Sequence, residues 1–235
     1  MTNTITVDND VEALRESLVA LAPENNRSMN PFLKNIFATP LLMGTSSNQS
    51  IQLEITTLAY GLRAGLTRGK LVSDHWNQGS SSSDPQDFAT HGVTSFNSTE
   101  SLNQLPEWNT VTAFIEDFAG TMISSIEPAG NIKLINMWTT IYPPGAFVPE
   151  HIHSNSLFSG VFYAKAEPQC GKTVFHDPAW VSKTMCLKDG YDSHKTKYNI
   201  TPEPGMMLIF PGWLPHRSLP NCSTEDRIIV SFNLV

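Results

Sequence analysis

His151-Ile152-His153 is a pair of imidazoles separated by one residue, and His216 stands alone farther down the chain. Successive side chains of a β-strand alternate between its two faces, so residues two apart point the same way, about 7 Å apart along the strand. On a strand, His151 and His153 can therefore reach one metal ion together. His216 follows Phe210-Pro211-Gly212-Trp213-Leu214-Pro215, an apolar strand end and a turn. A pair on one strand plus a single histidine from a later strand builds a three-ligand face with open positions. Imidazole suits Fe, Zn, Cu and Ni, so ligand type alone does not pick the metal. A lone histidine is more often an ordinary core or surface residue. Two at strand spacing, with a third behind an apolar strand, are read as ligands.

The elements that must position these residues are legible in outline. The 235 residues are 40% hydrophobic and 16% charged, enough for a proper core in one large domain. A net charge of −7 with no basic run argues against nucleic-acid binding. No stretch approaches a membrane span, and the N-terminus lacks the charged-then-apolar build of a signal peptide. Cys170, Cys186 and Cys222 are too few and too scattered for a disulfide framework or a Cys-rich zinc site. A reducing cytoplasm is the expected setting.

Residues 1–8 read as frayed. Asn9 and Glu12 resemble a capping box, and Val11, Leu14, Leu18 and Leu21 recur at helical spacing up to Pro23. Residues 37–42 read as a short strand with Pro40 inside, hence an edge or a bend. Ile51, Ile55, Leu58 and Leu62 mark a second helix. Residues 69–92 are the least regular part, a long loop that could serve as a lid, holding His75, Trp76 and His91. Val111, Phe114, Ile115, Phe118 and Met122 form a third helical stripe, opened by Pro106.

From residue 131 onward the texture changes to short β-rich runs separated by turns. Strands are predicted near 132–142, 148–153, 158–165, 172–176, 197–201, 206–210 and 227–234. Pro143-Pro144-Gly145 and Pro202-Glu203-Pro204-Gly205 are turns between them. Many short strands without intervening helices suggest an antiparallel sandwich or barrel. The expected domain is single, 1–235, with 1–130 as helical support and loops and 131–235 as the β core.

The order of motifs narrows this further. His151-x-His153 is followed by Ser159-Gly160-Val161-Phe162-Tyr163, then Phe175-His176-Asp177-Pro178. After these come Pro204-Gly205-Met206-Met207-Leu208-Ile209-Phe210-Pro211, His216 and Arg227-Ile228-Ile229-Val230-Ser231-Phe232-Asn233. This succession resembles the Fe(II)/2-oxoglutarate-dependent oxygenases, and in particular a bacterial and phage family among them. The likeness covers roughly 130–235 and thins upstream.

The resemblance implies an α+β, mainly β fold: a double-stranded β-helix of the jelly-roll or cupin kind, with N-terminal helices packed on one face. It implies Fe(II) as metal, 2-oxoglutarate as co-substrate and dioxygen as oxidant. The reaction expected is hydroxylation of a small molecule or a protein side chain, with release of succinate and CO2. Barrels of this kind often pair through their N-terminal helices, so a homodimer is among the assemblies the resemblance allows. Arg227, eleven positions after His216 on the last strand, would hold the distal carboxylate of 2-oxoglutarate. Its planar fork suits two hydrogen bonds to one carboxylate. Tyr142, Tyr163 and Ser231 are candidates for an assisting hydroxyl. If Arg227 faces the interior, Ile229, Ser231 and Asn233 share its face.

One position departs from the pattern. The usual site is two histidines and one carboxylate, and His153 stands where the carboxylate is expected. Three readings are open: a three-histidine site, a carboxylate from elsewhere such as Asp177, or a His153 that swings away. Glu150 should point to the opposite strand face. Three neutral ligands leave Fe(II) one charge more positive than the usual set. The departure also supports an alternative. Gly145, five residues and His151-x-His153 match the start of a cupin signature. A cupin-type three-histidine dioxygenase, or a non-enzymatic metal-binding barrel, would not need Arg227.

Overall fold

The computed structural model describes residues 38–66, 93–96, 100–126, 132–185 and 196–235. The chain divides into two compact units, Met1–Ala38 and Thr39–Val235. All described helices and strands belong to the second unit. The helix expected over 11–21 and the loop over 69–92 lie outside the described residues, as does Cys186.

Among the described residues, two long helices, a short helix over Trp180–Met185 and two sheets carry the structure. Helix α1 is Gln49–Leu66 and α2 is Asn109–Ile123. Asn48 Oδ1 accepts the Ile51 N–H at 3.1 Å and caps the first turn of α1. Ile51, Ile55 and Ala59 on α1, and Val111, Ile115, Ala119 and Ile123 on α2, recur at four-residue spacing and are buried. Each helix thus presents one apolar stripe to the sheet.

The strands are β1 (Leu42–Thr45), β2 (Val93–Thr94), β3 (Leu134–Tyr142), β4 (Phe158–Lys165), β5 (Thr173–His176), β6 (Lys197–Ile200), β7 (Met206–Pro211), β8 (His216–Ser218) and β9 (Arg227–Leu234). A six-stranded sheet has the order β1-β7-β4-β9-β3-β2, and a three-stranded sheet the order β6-β5-β8. The pairings between these strands are antiparallel. The residues before His151 extend the smaller sheet beyond β8: His151 bridges His216, and Ser218 N–H donates to Val148 O at 3.1 Å. Together with this run, strands β3 to β9 form a double-stranded β-helix.

Strand alternation sorts the side chains into two cores. Ile228, Val230, Phe232 and Leu234 of β9 join Met137 and Ile141 of β3 and Phe162 of β4 against the two helices. The opposite faces enclose Tyr142, Val161, Tyr163, Phe175, Leu208, Phe210 and Ile229 between the two sheets. Arg227, Ile229, Ser231 and Asn233 therefore share the interior face of β9, as the strand period requires.

The structure corrects three expectations in detail. The strand expected over 37–42 begins at Leu42, after Pro40, whose ring cannot donate to a ladder. It does lie on a sheet edge. Residues 148–153 form an isolated bridge rather than a continuous strand. Strand β8 has no counterpart among the predicted strands, because three residues are too few to show a periodic pattern.

Candidate metal centre

The backbone brings the three histidines together before any ligand is considered. The His151 and His216 amides exchange hydrogen bonds with each other's carbonyls at 3.0 Å each, and His153 N–H donates to Gly212 O at 2.8 Å. One ligand nitrogen from each of His151, His153 and His216 lies within 4.8 Å of the others. The His151 and His216 ring centroids are 4.3 Å apart, and those of His153 and His216 5.1 Å. Among the described residues no carboxylate joins the cluster.

Each ring has its Nδ1 engaged, which leaves Nε2 for an ion. Nδ1 of His151 donates to Pro149 O at 2.9 Å, and Nδ1 of His216 to Leu214 O at 2.9 Å. Nδ1 of His153 donates to Asn233 Oδ1 at 2.7 Å. With Nδ1 as the protonated nitrogen, Nε2 presents a lone pair, the outer-sphere pattern that fixes ligating histidines. Burial lowers all three pKa values: His151 falls below the usual histidine range, His153 to about 4 and His216 to about 3. For His216 the nearby His151 adds to the effect. The neutral form that binds a metal is thus the form the fold favours.

Aromatic rings close in on these ligands. Trp138 stacks on His153 at 5.6 Å between centroids, and Phe210 lies 4.6 Å from His216. Glu150 turns away from the cluster, as its strand position predicts, and pairs with His176 Nδ1 at 3.0 Å. Asp177 Oδ1 accepts from Ala179 N–H at 2.8 Å in the turn after β5. It therefore serves that turn and is absent from the ligand group.

Arg227 is 1% exposed. Its Nη1 donates to Cys170 O at 2.7 Å and Gly171 O at 3.2 Å, and its Nη2 to Ser218 Oγ at 3.0 Å. Its guanidinium carbon sits 4.2 Å from the centroid of the Tyr142 ring. Nε is buried without a hydrogen-bond partner, and no carboxylate of the described residues pairs with the group. Gly171 permits this packing: its φ is +91°, and a Cβ there would meet Leu219 O at 2.3 Å and Arg227 Nη1 at 3.0 Å.

Of the three hydroxyl candidates, Tyr142 lies directly against Arg227. Tyr163 is buried on the neighbouring strand, its phenol bonded to the Thr173 hydroxyl and pushed up to about 12 by burial. Ser231 lies farther along β9, opposite Trp138 and Val161. The hydroxyl that touches Arg227 is Ser218, which sequence reasoning missed. A signal for it exists: Ser218 is two residues after His216 and so shares its face.

The donor set and the buried cation fit a metal and a dicarboxylate. His216 and Ser218 are one two-residue strand step apart, about 7 Å. An acid bound at the histidines could thus place a second carboxylate at Arg227.

Comparisons with known proteins bear on the fold that carries this site. The fold is similar to that of solved 2-oxoglutarate-Fe(II) oxygenases. Residues 136–233, which include the three histidines and Arg227, match a family described as "Putative 2OG-Fe(II) oxygenase". Among solved structures, the chain is similar to a Pseudomonas putida prolyl-4-hydroxylase, with 15% identity, 83% of this chain and 93% of that chain covered, and a TM-score of 0.50. It is similar to the non-heme alpha ketoglutarate dependent epimerase SnoN from nogalamycin biosynthesis (10% identity, 83% and 77% covered, TM-score 0.54). It is also similar to HygX from Streptomyces hygroscopicus with nickel and 2-oxoglutarate bound (10% identity, 83% and 82% covered, TM-score 0.50). At these identities the likeness is one of fold. No curated protein sequence matches the chain.

Proposed function

We propose that this protein is an Fe(II)- and 2-oxoglutarate-dependent oxygenase that hydroxylates its substrate. His151, His153 and His216 hold the metal through Nε2, and Arg227 holds the distal carboxylate of 2-oxoglutarate. The observation that carries the reading is Arg227 itself: a buried guanidinium without a carboxylate partner among the described residues, bonded to Ser218, which is one strand step from His216. Burying a charge is costly unless it is paired, so a dianionic co-substrate gives this residue its reason. A cupin-type dioxygenase would leave it without one.

Bound iron would supply dioxygen activation coupled to decarboxylation of 2-oxoglutarate to succinate and CO2, with the second oxygen atom delivered to the substrate. The chain's own part is positional. Pro149 O, Leu214 O and Asn233 orient the ligand rings. Tyr142 and Ser218 orient Arg227. Trp138, Phe210 and Phe175 flank the ligands with apolar surface and so limit water beside them.

The test is an anaerobic visible spectrum of the Fe(II)-loaded protein before and after 2-oxoglutarate. A weak charge-transfer band appearing only with both present is the expected result. Tight iron binding without that band would favour the cupin-type reading or a binding barrel. Succinate formation, with an oxygen atom gained by the substrate, would then separate hydroxylation from the epimerisation named for SnoN.

A further inference from the structure

The electrical balance of the centre has a consequence for how it loads. Among the described residues, the groups that hydrogen-bond to or stack on a ligand ring are neutral. The three Nδ1 acceptors are two backbone carbonyls and one carboxamide. The rings packed against the ligands are Trp138, Phe210 and Phe175. The nearest carboxylate in sequence, Glu150, is turned to His176. The buried cation Arg227 is the only charged side chain of β8 and β9 that is directed between the sheets.

Asn233 is the pivot of this arrangement. It is 6% exposed, and its Oδ1 accepts from His153 Nδ1 at 2.7 Å and from the fully buried Ser159 Oγ at 2.7 Å. Ser159 in turn contacts Ser156 Oγ at 3.0 Å. An aspartate has the same shape and could accept the same two bonds. The carboxamide supplies them without charge.

We infer that Asn233 is a positioning residue with two tasks: it holds His153 on the metal, and it leaves the charge of a divalent ion uncompensated until an anionic co-substrate arrives. This rests on the metal and co-substrate reading above. Its consequence is that the coupling between metal and 2-oxoglutarate, already expected from chelation, is larger than a charged acceptor at this position would allow. Cooperativity of this kind is reciprocal, so the factor by which 2-oxoglutarate tightens the metal equals the factor by which the metal tightens 2-oxoglutarate.

The test uses the full chain and Ni(II), titrated against a competing chelator with and without 2-oxoglutarate. In the wild type, 2-oxoglutarate tightens Ni(II) at least about tenfold, within the usual span of coupling between sites. Asn233→Asp keeps the acceptor and adds a charge, so it binds Ni(II) alone more tightly and shows a smaller coupling factor. Asn233→Leu loses the acceptor, so it binds Ni(II) about 10–100-fold more weakly, with the coupling factor retained. A residue that only supported the fold would lower both affinities together with the melting temperature and would not separate the two variants. The charge task is overturned if Asn233→Asp matches wild type in both quantities, and the positioning task if Asn233→Leu binds Ni(II) like wild type. If His216→Ala also keeps wild-type Ni(II) affinity, the failure lies in the metal site itself.

Discussion

Replacing Arg227 with Met tests the co-substrate assignment most directly. Met matches the apolar stem of Arg, so the stem stays packed and only the hydrogen-bonding head is removed. Two effects must be separated. On stability, the change strands Cys170 O, Gly171 O and Ser218 Oγ, each costing about 1–3 kcal/mol if left dry, and it removes the stacking over Tyr142. It also removes a buried cation that lacks a carboxylate partner among the described residues, and that relief offsets part of the loss. The net is a moderate fall in the unfolding midpoint. On binding there is no such offset. A hydrogen bond to a charged group contributes about 1.5–3 kcal/mol, so losing a two-pronged contact costs about 3–6 kcal/mol, or roughly 10²–10⁴ in 2-oxoglutarate affinity. The assay is calorimetric titration of the Ni(II)-loaded variant with 2-oxoglutarate, beside a Ni(II) titration of the metal-free variant. Expected are a large loss in the first and near-wild-type affinity in the second. Unchanged 2-oxoglutarate affinity in a folded Arg227→Met protein would refute the assignment and move the site toward the cupin-type reading.

Other expectations follow from the same geometry. His151→Ala and His216→Ala each remove one of three ligands and should abolish tight Ni(II) or Fe(II) binding, as measured by metal content after gel filtration. The metal-free protein should lose stability as the pH falls. The folded pKa values of His153 and His216 lie at about 4 and about 3, below the unfolded value near 6.5. The unfolded chain therefore binds more protons between those limits, and folding stability drops as pH falls through that window. Between pH 7 and 5 the loss is about 2 kcal/mol per site, and a flat urea midpoint over that range would contradict the burial of these rings. Gly160→Val should destabilise by about 1–3 kcal/mol or more, because a Cβ there would meet the Phe232 ring at 2.1 Å. A melting temperature equal to wild type would show that Phe232 can move aside.

The parts of the molecule legible in sequence are those whose side-chain period survives burial. The apolar stripes of α1 and α2 follow directly from Ile51, Ile55, Val111, Ile115 and their partners, because a helix buried on one side keeps its 3.6-residue period. Strands β3, β4, β7 and β9 can be located from sequence to within a few residues. They are apolar on both faces, however, since one face meets the helices and the other meets the second sheet. Their sequences therefore read as continuous runs, and only the polar residues at one face, such as Arg227, Ser231 and Asn233, reveal the register. Short elements leave no pattern: β8 has three residues, and the His151 bridge is a single pair. Contacts made across the barrel are hidden as well. Asn233 lies eighty residues from His153, and Cys170 lies fifty-seven from Arg227. No local signal joins such pairs.

The site reduces to period-two positions on three interior faces. His151 and His153 are one step apart on the chain that borders β8. His216 and Ser218 are one step apart on β8, where the first faces the metal position and the second receives Arg227. On β9, Asn233 supports His153 at one end of the strand and Arg227 closes the other. The distance between the proposed metal position and the proposed Arg227 anchor is thus set by the pleat of a β-strand rather than by a loop. A one-residue slip of β8 against its neighbours would turn both His216 and Ser218 out of the barrel at once. That slip is opposed by the paired amides of His151 and His216 and by the bond from Ser218 N–H to Val148 O. The metal position and the Arg227 anchor therefore stand or fall with the same register, so a substitution that disturbs β8 should weaken metal and 2-oxoglutarate together. Arg227→Met, by contrast, separates them.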